Sequence, residues 1–243
     1  MSSRPSSRFE EIDRRQTPIG EISVRRRLEP TLQIDVYEVK LGDEFLMSSL
    51  FTVAEIALAD LSLAEITGDE LHVVVGGLGL GYTAGAVLRD PRVRSLHVIE
   101  ALGEVIAWHR RGLLPLSDAL TSDPRCQLVN GDFFAMVATG EPFGPDTPER
   151  LDAILVDIDH TPRHVLHPSH AAFYDPEGQR RLADRLEPGG VYALWSDDPP
   201  DADYLAVVEQ VFASCEAHVV TFANPLTGGD SANTVYVATT GHE

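Results

Sequence analysis

Three glycines at alternate positions follow a run of valines in the segment VVVGGLGLG, residues 73–81. Glycine lets a backbone come close to a ligand, and a parallel strand that runs through a glycine turn into a helix commonly binds a nucleotide. The dinucleotide fingerprint G-x-G-x-x-G would need a third glycine where Tyr82 stands. The pattern G-x-G-x-G is instead typical of loops that bind S-adenosylmethionine (SAM). The sequence therefore predicts a SAM site at Gly77, Gly79 and Gly81, with an ordinary tight turn as the alternative.

Two acidic residues extend this predicted site. Glu100 ends the next strand-like segment, 19 residues after Gly81, close to the spacing of about 20 residues for an acid that binds a ribose. Asp132 ends the third strand-like segment, where its carboxylate could accept the adenine amino group while Phe133 packs beside the base. Each acid could instead cap the helix that follows it. Because these features stand at successive strand ends, we interpret them together as a SAM site.

Strand and helix patterns alternate from residue 71 onward. Five apolar segments are strand-like: residues 71–77, 95–101, 126–132, 151–159 and 190–196. The segments between them fit helices, so the alternation predicts right-handed βαβ units and a parallel sheet. Residues 217–240 then contain two strand-like runs joined by glycine and asparagine, which predicts an antiparallel hairpin. The expected fold is α/β: the Rossmann-like class I SAM-dependent methyltransferase fold, with a seven-stranded, mostly parallel sheet that ends in this hairpin.

The chain also divides along its length. Residues 1–16 are polar and rich in serine and arginine, so we expect a mobile N-terminus there. Residues 17–49 hold three strand-like runs separated by turn signals, which predicts a small β section. Residues 51–66 place apolar side chains at helical spacing and are expected to pack against the core. Residues 50–243 are thus expected to form a SAM-binding catalytic domain.

Four aspartates follow two strands that should be neighbours: Asp157, Asp159, Asp197 and Asp198. Parallel sheets place ligands beyond the carboxyl ends of their strands, so these carboxylates are expected to line one pocket. Crowded like charges raise each other's pKa and attract an ammonium group or a divalent metal ion. One of the carboxylates, or His160, could then act as general base on an amine or a hydroxyl. Asp197 and Asp198 could instead cap the next helix, and a Mg²⁺-dependent catechol-type methyltransferase is a further alternative.

A histidine-rich segment, HTPRHVLHPSH, follows the fourth predicted strand and holds His160, His164, His167 and His170. Their spacing resembles that of metal ligands on a helix, but Pro162 and Pro168 interrupt a continuous helix. We therefore favour a loop that covers the acceptor pocket over a zinc site, and we predict no bound metal.

The chain has 243 residues and a net charge of −19, with a sequence pI of about 4.7. This charge would repel phosphate backbones and anionic membrane surfaces, so we expect neither nucleic acid nor a membrane as a partner. The two cysteines, Cys126 and Cys215, predict no disulfide framework. No signal peptide is apparent and no apolar run approaches about 18 residues, so the sequence predicts a cytoplasmic protein.

The same segments resemble the spermidine synthase branch of the SAM-dependent transferases. The likeness covers about residues 20–240 and includes VVGGLGLG, VIEA, GDFF and LDAILVDIDHTP. It implies a catalytic domain whose N-terminal β cap helps to close the acceptor pocket. Aminopropyltransferases of this family carry the glycine-loop motif GGGDGG, whose aspartate holds the amine end of decarboxylated SAM. At the position of that aspartate, this chain has Gly79. That difference implies that ordinary SAM is tolerated.

Two other family motifs differ in this chain. The family's fourth-strand motif is D-x-x-D, whose second aspartate deprotonates the acceptor amine; this chain has DIDH at residues 157–160, with His160 in place of that aspartate. The family's Tyr-His-Glu stretch ahead of the domain is also changed, and of its three residues this chain keeps only the glutamate, Glu55. The resemblance implies a SAM-dependent group transferase, and the differences favour methyl transfer to a small amine or hydroxyl acceptor. One alternative is an aminopropyltransferase (spermidine synthase) that uses decarboxylated SAM. The other is a non-catalytic protein that binds SAM or a nucleoside.

Candidate roles follow from the resemblance and from the positions at strand ends. Asp157 is expected to hold the acceptor or the sulfonium side of the cofactor, with Asp159 or His160 as the base. Four further side chains are expected to bind the acceptor: Glu55, Tyr174, Asp197 and Asp198. The expected partner is a small molecule, with a cationic amine as the favoured class, and a homodimer is left open.

Overall fold

Two β-sheets organise the protein, whose computed structural model describes residues 9–242. The first sheet is an antiparallel meander of four consecutive strands: β1 (Phe9–Thr17), β2 (Gly20–Glu29), β3 (Ile34–Leu41) and β4 (Glu44–Ser48). It contains the predicted small β section but begins earlier than expected. Residues 9–16, assigned above to a mobile N-terminus, form most of β1, whereas residues 1–8 lie outside the described residues.

The sequence did not predict strand β1, because ion pairs rather than alternating apolar side chains join it to its neighbour β2. Its burial pattern is mostly exposed, so the sequence carries no apolar period of two. Instead, Glu10 pairs with Arg26 on β2 at 2.6 Å, and Arg14 pairs with Glu21 at 2.9 Å. Charged cross-strand pairs stabilise a sheet without leaving a hydrophobic signature.

The second sheet has seven strands: β5 (Leu71–Gly76), β6 (Val93–Glu100), β7 (Cys126–Asn130), β8 (Leu151–Val156), β9 (Leu186–Ser196), β10 (Ser214–Asn224) and β11 (Gly229–Thr239). Their order across the sheet is β10-β11-β9-β8-β5-β6-β7. The pairs among β5 to β9 are parallel, while β11 runs antiparallel to both β9 and β10. Val235 on β11 lies opposite Trp195 on β9 in this antiparallel pair. The predicted fold class is confirmed.

Helices cover both faces of this sheet: α1 (Val53–Ala64), α2 (Tyr82–Leu88), α3 (Gly103–Arg110), α4 (Ser117–Ser122), α5 (Phe133–Thr139), α6 (Pro176–Ala183) and α7 (Ala202–Val208). Successive side chains of a strand point to opposite faces. Val73 and Val75 of β5 therefore pack into the core that includes Leu58 of α1, whereas Val74 packs into the core that includes Leu182 of α6. Helix α4 and a short 3-10 helix, Pro168–Tyr174, were not predicted.

The N-terminal sheet is attached to the larger domain by a shared core and by a partly exposed polar contact. Ile22 and Val24 of β2 belong to the same hydrophobic cluster as Leu58 of α1. Asp13 on β1 accepts hydrogen bonds from the Trp108 indole at 2.9 Å and from Arg111 at 2.7 Å. The small sheet is thus fixed over the carboxyl end of the large one. Among the helices of residues 9–242, none has the length and apolar character that a membrane crossing requires.

Candidate active site

The glycine loop leaves β5 and passes directly against neighbouring backbone and side chains. Gly77 has φ +97°, and a Cβ there would lie 2.0 Å from the Asp157 carbonyl oxygen. Gly79 has φ +48°, and its Cβ would meet the Met47 sulfur at 2.6 Å. A side chain at either position would therefore clash as well as strain the backbone. The loop is packed between the end of β8 and the N-terminal sheet, which leaves a side-chain-free surface for a ligand.

Glu100, at the end of β6, holds this loop. Its carboxylate accepts hydrogen bonds from the backbone N–H groups of Leu102 at 2.8 Å, Leu78 at 3.2 Å and Gly79 at 3.5 Å. Burial raises the pKa of Glu100, and the backbone bonds lower it only in part. A carboxylate has about four lone-pair sites, so these three bonds leave capacity for a ribose hydroxyl. Glu100 lies at the end of its strand, as the sequence predicted, and it shapes the loop; its binding of a ribose stays a prediction.

Asp132 caps α5 and Phe133 is its first residue; the predicted adenine-binding role of Asp132 stays a prediction, whereas the position of Phe133 differs from its predicted role. The Asp132 carboxylate accepts a hydrogen bond from the Ala135 N–H at 3.1 Å. It therefore caps α5, as the alternative interpretation of this residue predicted. The Phe133 ring is 2% exposed and stacks on Phe143 with centroids 5.6 Å apart. A Cβ on Gly76 would meet this ring at 2.9 Å. Phe133 therefore packs beneath the strand in the core, and its predicted place beside an adenine base is corrected.

A cavity of about 600 Å³ opens between the glycine loop, the N-terminal sheet and the C-terminal hairpin. Six predicted site residues line it: Glu55, Gly79, Gly81, Asp157, His160 and Asp197. Seven do not: Gly77, Glu100, Asp132, Phe133, Asp159, Tyr174 and Asp198. The cavity thus joins the predicted cofactor loop to two of the four aspartates that were expected to line one pocket, Asp157 and Asp197.

Two carboxylates line this cavity, and the charge of one acts on the other. Asp157 accepts a hydrogen bond from the Thr83 hydroxyl at 2.7 Å, and within residues 9–242 neither Asp157 nor Glu55 of α1 pairs with a cation. Burial raises the pKa of Asp157 to about 6. Burial and the charge of Asp157 raise the pKa of Glu55 to about 8. A cation placed here would relieve both effects, so the electrostatics of this pair suit an ammonium or a sulfonium group.

Asp159 faces away from the cavity. Its carboxylate is 1% exposed and accepts three hydrogen bonds, from the Leu166 N–H at 2.7 Å, His170 Nδ1 at 2.9 Å and the Tyr174 hydroxyl at 2.8 Å. Strand β8 ends at Val156, and the chain then turns. The turn places Asp159 inside the segment that follows the strand. The predicted roles of Asp159 as a base and of Tyr174 as an acceptor ligand are both corrected.

His160 and Asp197 meet at the cavity wall. The His160 side chain is 23% exposed, and its Nε2 lies 3.1 Å from a carboxylate oxygen of Glu44 on β4. The Asp197 N–H donates to the His160 carbonyl at 2.8 Å, while its carboxylate accepts from Asn233 at 2.7 Å. Asp198 is exposed and lies outside the cavity. The residue that caps α7 is Asp201, so neither Asp197 nor Asp198 does.

The histidine-rich segment does not gather its imidazoles around one point. His170 binds Asp159, His167 caps the 3-10 helix, and His160 and His164 have ring centroids 5.2 Å apart. Within the part of the chain that the structure describes, no group of three or more His, Cys, Asp or Glu side chains is placed to hold a metal ion. The segment borders the cavity through His160 and Leu166.

Sequence reasoning missed most of the apolar wall of the cavity. Its aromatic members are Phe45, Phe51, Tyr82, Trp195 and Phe222. They come from five separate segments, and Phe51 and Phe222 meet with ring centroids 5.7 Å apart. The buried Glu38 was also missed, and it is neutralised by Arg25 at 2.6 Å and Arg27 at 2.7 Å. No local pattern could show these contacts, because only the fold brings the segments together.

Comparison with solved structures places nearly the whole chain in one known fold. A spermidine synthase from Thermotoga maritima superimposes with a TM-score of 0.72 at 19% sequence identity, covering 96% of this chain and 74% of that one. The chain has the spermidine synthase fold. The N-terminal sheet is part of the match, since nearly all of the chain is covered.

Sequence comparison points the same way. No protein-family model matches the chain. Over 163 residues, 65% of the chain, it is 27% identical to putrescine N-methyltransferase 2 of Nicotiana tabacum, of which it covers 40%. Over 164 residues it is 30% identical to a polyamine aminopropyltransferase of Prochlorococcus marinus, of which it covers 50%. The chain thus spans half or less of these curated relatives, and its resemblance to spermidine synthase-like proteins is confirmed.

Proposed function

We propose that this spermidine synthase-like protein transfers the methyl group of SAM to a small cationic amine. The observation that carries the proposal is the Glu55–Asp157 pair, two half-buried carboxylates that pair with no cation among residues 9–242 and lie in the same cavity as Gly79 and Gly81. Keeping such a pair is costly unless a positively charged ligand completes it. The names of the relatives, a putrescine N-methyltransferase and a polyamine aminopropyltransferase, support an amine acceptor.

The glycine loop fits a SAM molecule better than its decarboxylated form. At Gly79 the loop offers no carboxylate to hold the free amine end of decarboxylated SAM. A Cβ there would meet the Met47 sulfur at 2.6 Å, so an aspartate at this position would require the flexible Met47 side chain to move. The absence of this carboxylate favours methyl transfer over aminopropyl transfer. Aminopropyl transfer remains the second candidate, supported by the 30% identity to a polyamine aminopropyltransferase.

The residues of the cavity suggest how the acceptor is prepared. SAM supplies an electrophilic methyl carbon on a sulfonium. Glu55 and Asp157 hold the ammonium form of the acceptor, and Asp157 or His160 accepts its proton so that the nitrogen lone pair becomes available. The cavity walls orient the amine, and orientation of this kind contributes on the order of 7–11 kcal/mol in favourable cases. We propose that the N-terminal sheet and residues 50–243 act together in this role.

A non-catalytic SAM-binding protein would have little use for this arrangement. Two carboxylates with raised pKa values make the empty cavity less stable than a neutral wall would. A hydroxyl acceptor is likewise less suited than an amine, since a neutral hydroxyl would not offset the paired acidic groups. The acidic pair therefore favours an enzyme with an amine acceptor.

A transfer assay tests the proposal. The protein is incubated with either SAM or decarboxylated SAM and a panel of putrescine, spermidine, a monoamine and a phenol, and products are identified by mass spectrometry. We expect a methylated amine together with S-adenosylhomocysteine. Methylthioadenosine released only with decarboxylated SAM would establish aminopropyl transfer instead, and no product from either cofactor would contradict both enzymatic candidates.

A further inference from the structure

His109 on α3 lies buried directly behind the glycine loop. Its side chain is 1% exposed, and its Nε2 is 2.9 Å from the carbonyl oxygen of Gly79. A Cβ on Gly81 would come within 3.1 Å of the His109 ring. A carbonyl can only accept, so Nε2 carries the proton and Nδ1 carries the lone pair. The imidazole therefore donates to the loop as a neutral ring, and burial lowers its pKa.

The bond to Gly79 is the polar contact that this ring provides. Within residues 9–242, Nδ1 of His109 is buried without a hydrogen-bond partner. Burying that nitrogen costs free energy that an apolar side chain of similar size would avoid. What an apolar side chain could not supply is the donor to the Gly79 carbonyl. The arrangement thus indicates that His109 fixes the orientation of this peptide.

The orientation of that peptide determines what the loop presents to the cavity. In a trans peptide the C=O and the following N–H point in opposite directions, so the Leu80 N–H points away from His109. No hydrogen bond joins the Leu80 N–H to any acceptor in residues 9–242. Gly79, Leu80 and Gly81 all line the cavity, whereas His109 does not. The free N–H therefore lies on the ligand side of the loop.

We propose that His109 is a positioning residue that holds the Leu80 N–H toward the cavity as a donor to the carboxylate of SAM. This inference rests on the proposed function. Glu100 supports the preceding peptide of the loop, because its carboxylate accepts a hydrogen bond from the Gly79 N–H at 3.5 Å. Decarboxylated SAM lacks the acceptor for this N–H. His109 thereby helps this chain to select the cofactor that retains its carboxylate.

Calorimetry with two ligands separates this role from general support of the loop. S-adenosylhomocysteine has the carboxylate, whereas methylthioadenosine lacks the amino-acid part. The variant His109→Leu should weaken S-adenosylhomocysteine binding about tenfold while methylthioadenosine binding changes by less than about twofold. The variant His109→Gln, whose amide can donate to the same carbonyl, should restore most of the loss.

His97→Leu is the matched control. His97 is also 1% exposed, and its Nε2 lies 3.3 Å from the Pro145 carbonyl, but it does not line the cavity. We expect this variant to lower thermal stability without changing the ratio of the two affinities. If His109→Leu does not fold, His109→Asn provides the same loss, because its shorter amide cannot reach Gly79.

Two results would overturn the inference: an equal loss of affinity for both ligands in the His109 variants, or no loss of affinity for either ligand. Failure of the proposed function looks different and is seen in the wild-type protein: binding of methylthioadenosine without S-adenosylhomocysteine would indicate aminopropyl transfer, and binding of neither would exclude a SAM-type cofactor. Retained methylthioadenosine binding with selective loss of S-adenosylhomocysteine supports the inference.

Discussion

Two acidic regions follow the same strand and differ in how their charge is compensated. In the cavity, Asp157 and Glu55 have raised pKa values and no basic partner among the described residues. Two residues further along, Asp159 accepts three hydrogen bonds in a closed network. A carboxylate whose charge has no basic partner is suited to binding a ligand. A carboxylate whose oxygens already accept several hydrogen bonds instead holds the surrounding segment in place. The comparison predicts that the first region governs activity and the second governs stability.

The largest expected effect is on turnover. Asp157→Asn keeps an acceptor for the Thr83 hydroxyl but removes the charge that attracts the ammonium and takes its proton. We expect the rate of transfer to fall by roughly 10²–10⁴-fold, with no loss of unfolding free energy. Steady-state kinetics with the identified acceptor measures this. Asp198→Asn, at an exposed position outside the cavity, is the control and should keep wild-type turnover, and equal rates in both variants would remove Asp157 from the mechanism.

The second region should respond in the opposite sense. Asp159→Ala leaves three donors unpaired, including the buried Tyr174 hydroxyl. We expect the free energy of unfolding to fall by about 3 kcal/mol, as measured by urea denaturation. Asp175→Ala, which removes the cap of α6 at the end of the same segment, should cost only about 1 kcal/mol. A stable Asp159→Ala protein without activity would reverse the assignment of the two acids.

A smaller effect is expected on the affinity for the acceptor. Glu55→Gln removes one of the two charges that face the ammonium, so KM for the amine should rise about tenfold or more while SAM affinity is retained. Glu65→Gln, at the exposed end of the same helix, serves as the control. An unchanged KM in the Glu55 variant would show that the ammonium lies elsewhere in the cavity.

The smallest effect is on the pH dependence of stability. The pKa values of Glu55 and Asp157 are raised in the folded protein to about 8 and about 6. Between about pH 4 and pH 8 the folded state therefore binds more protons than the unfolded state, and stability falls as pH rises. The double variant Glu55→Gln with Asp157→Asn should show a shallower decrease of Tm over this range. Parallel Tm curves for the two proteins would contradict the raised pKa values.

The sequence predicted the features that are local. The glycine spacing, the alternation of strands and helices and the final hairpin each follow from short-range patterns, and the structure has them. Glu100 lies against the loop because the end of one parallel strand adjoins the next. The resemblance also pointed to Glu55, which spacing alone would not have selected.

Other features depended on the direction of side chains after a strand ends. Asp157 and Asp159 have the same side chain and equivalent positions in DIDH. Because the chain turns after Val156, the Asp157 carboxylate lies at the cavity and the Asp159 carboxylate bonds to the 160–174 segment. Phe133 has an apolar ring that fits either a base or the core, and the approach of Gly76 places it in the core. Such outcomes depend on contacts between distant segments, which periodicity does not encode.

The central claim is that the Glu55–Asp157 pair receives an ammonium, and proton release tests it most directly. Putrescine is titrated at about pH 7 into the protein saturated with S-adenosylhomocysteine, in two buffers that differ in ionisation enthalpy. We predict that binding releases protons, because the cation lowers the raised pKa values of the pair, and that the Glu55→Gln, Asp157→Asn double variant shows neither this release nor tight binding. Equal enthalpies in both buffers, with the double variant binding as tightly as the wild type, would contradict the account.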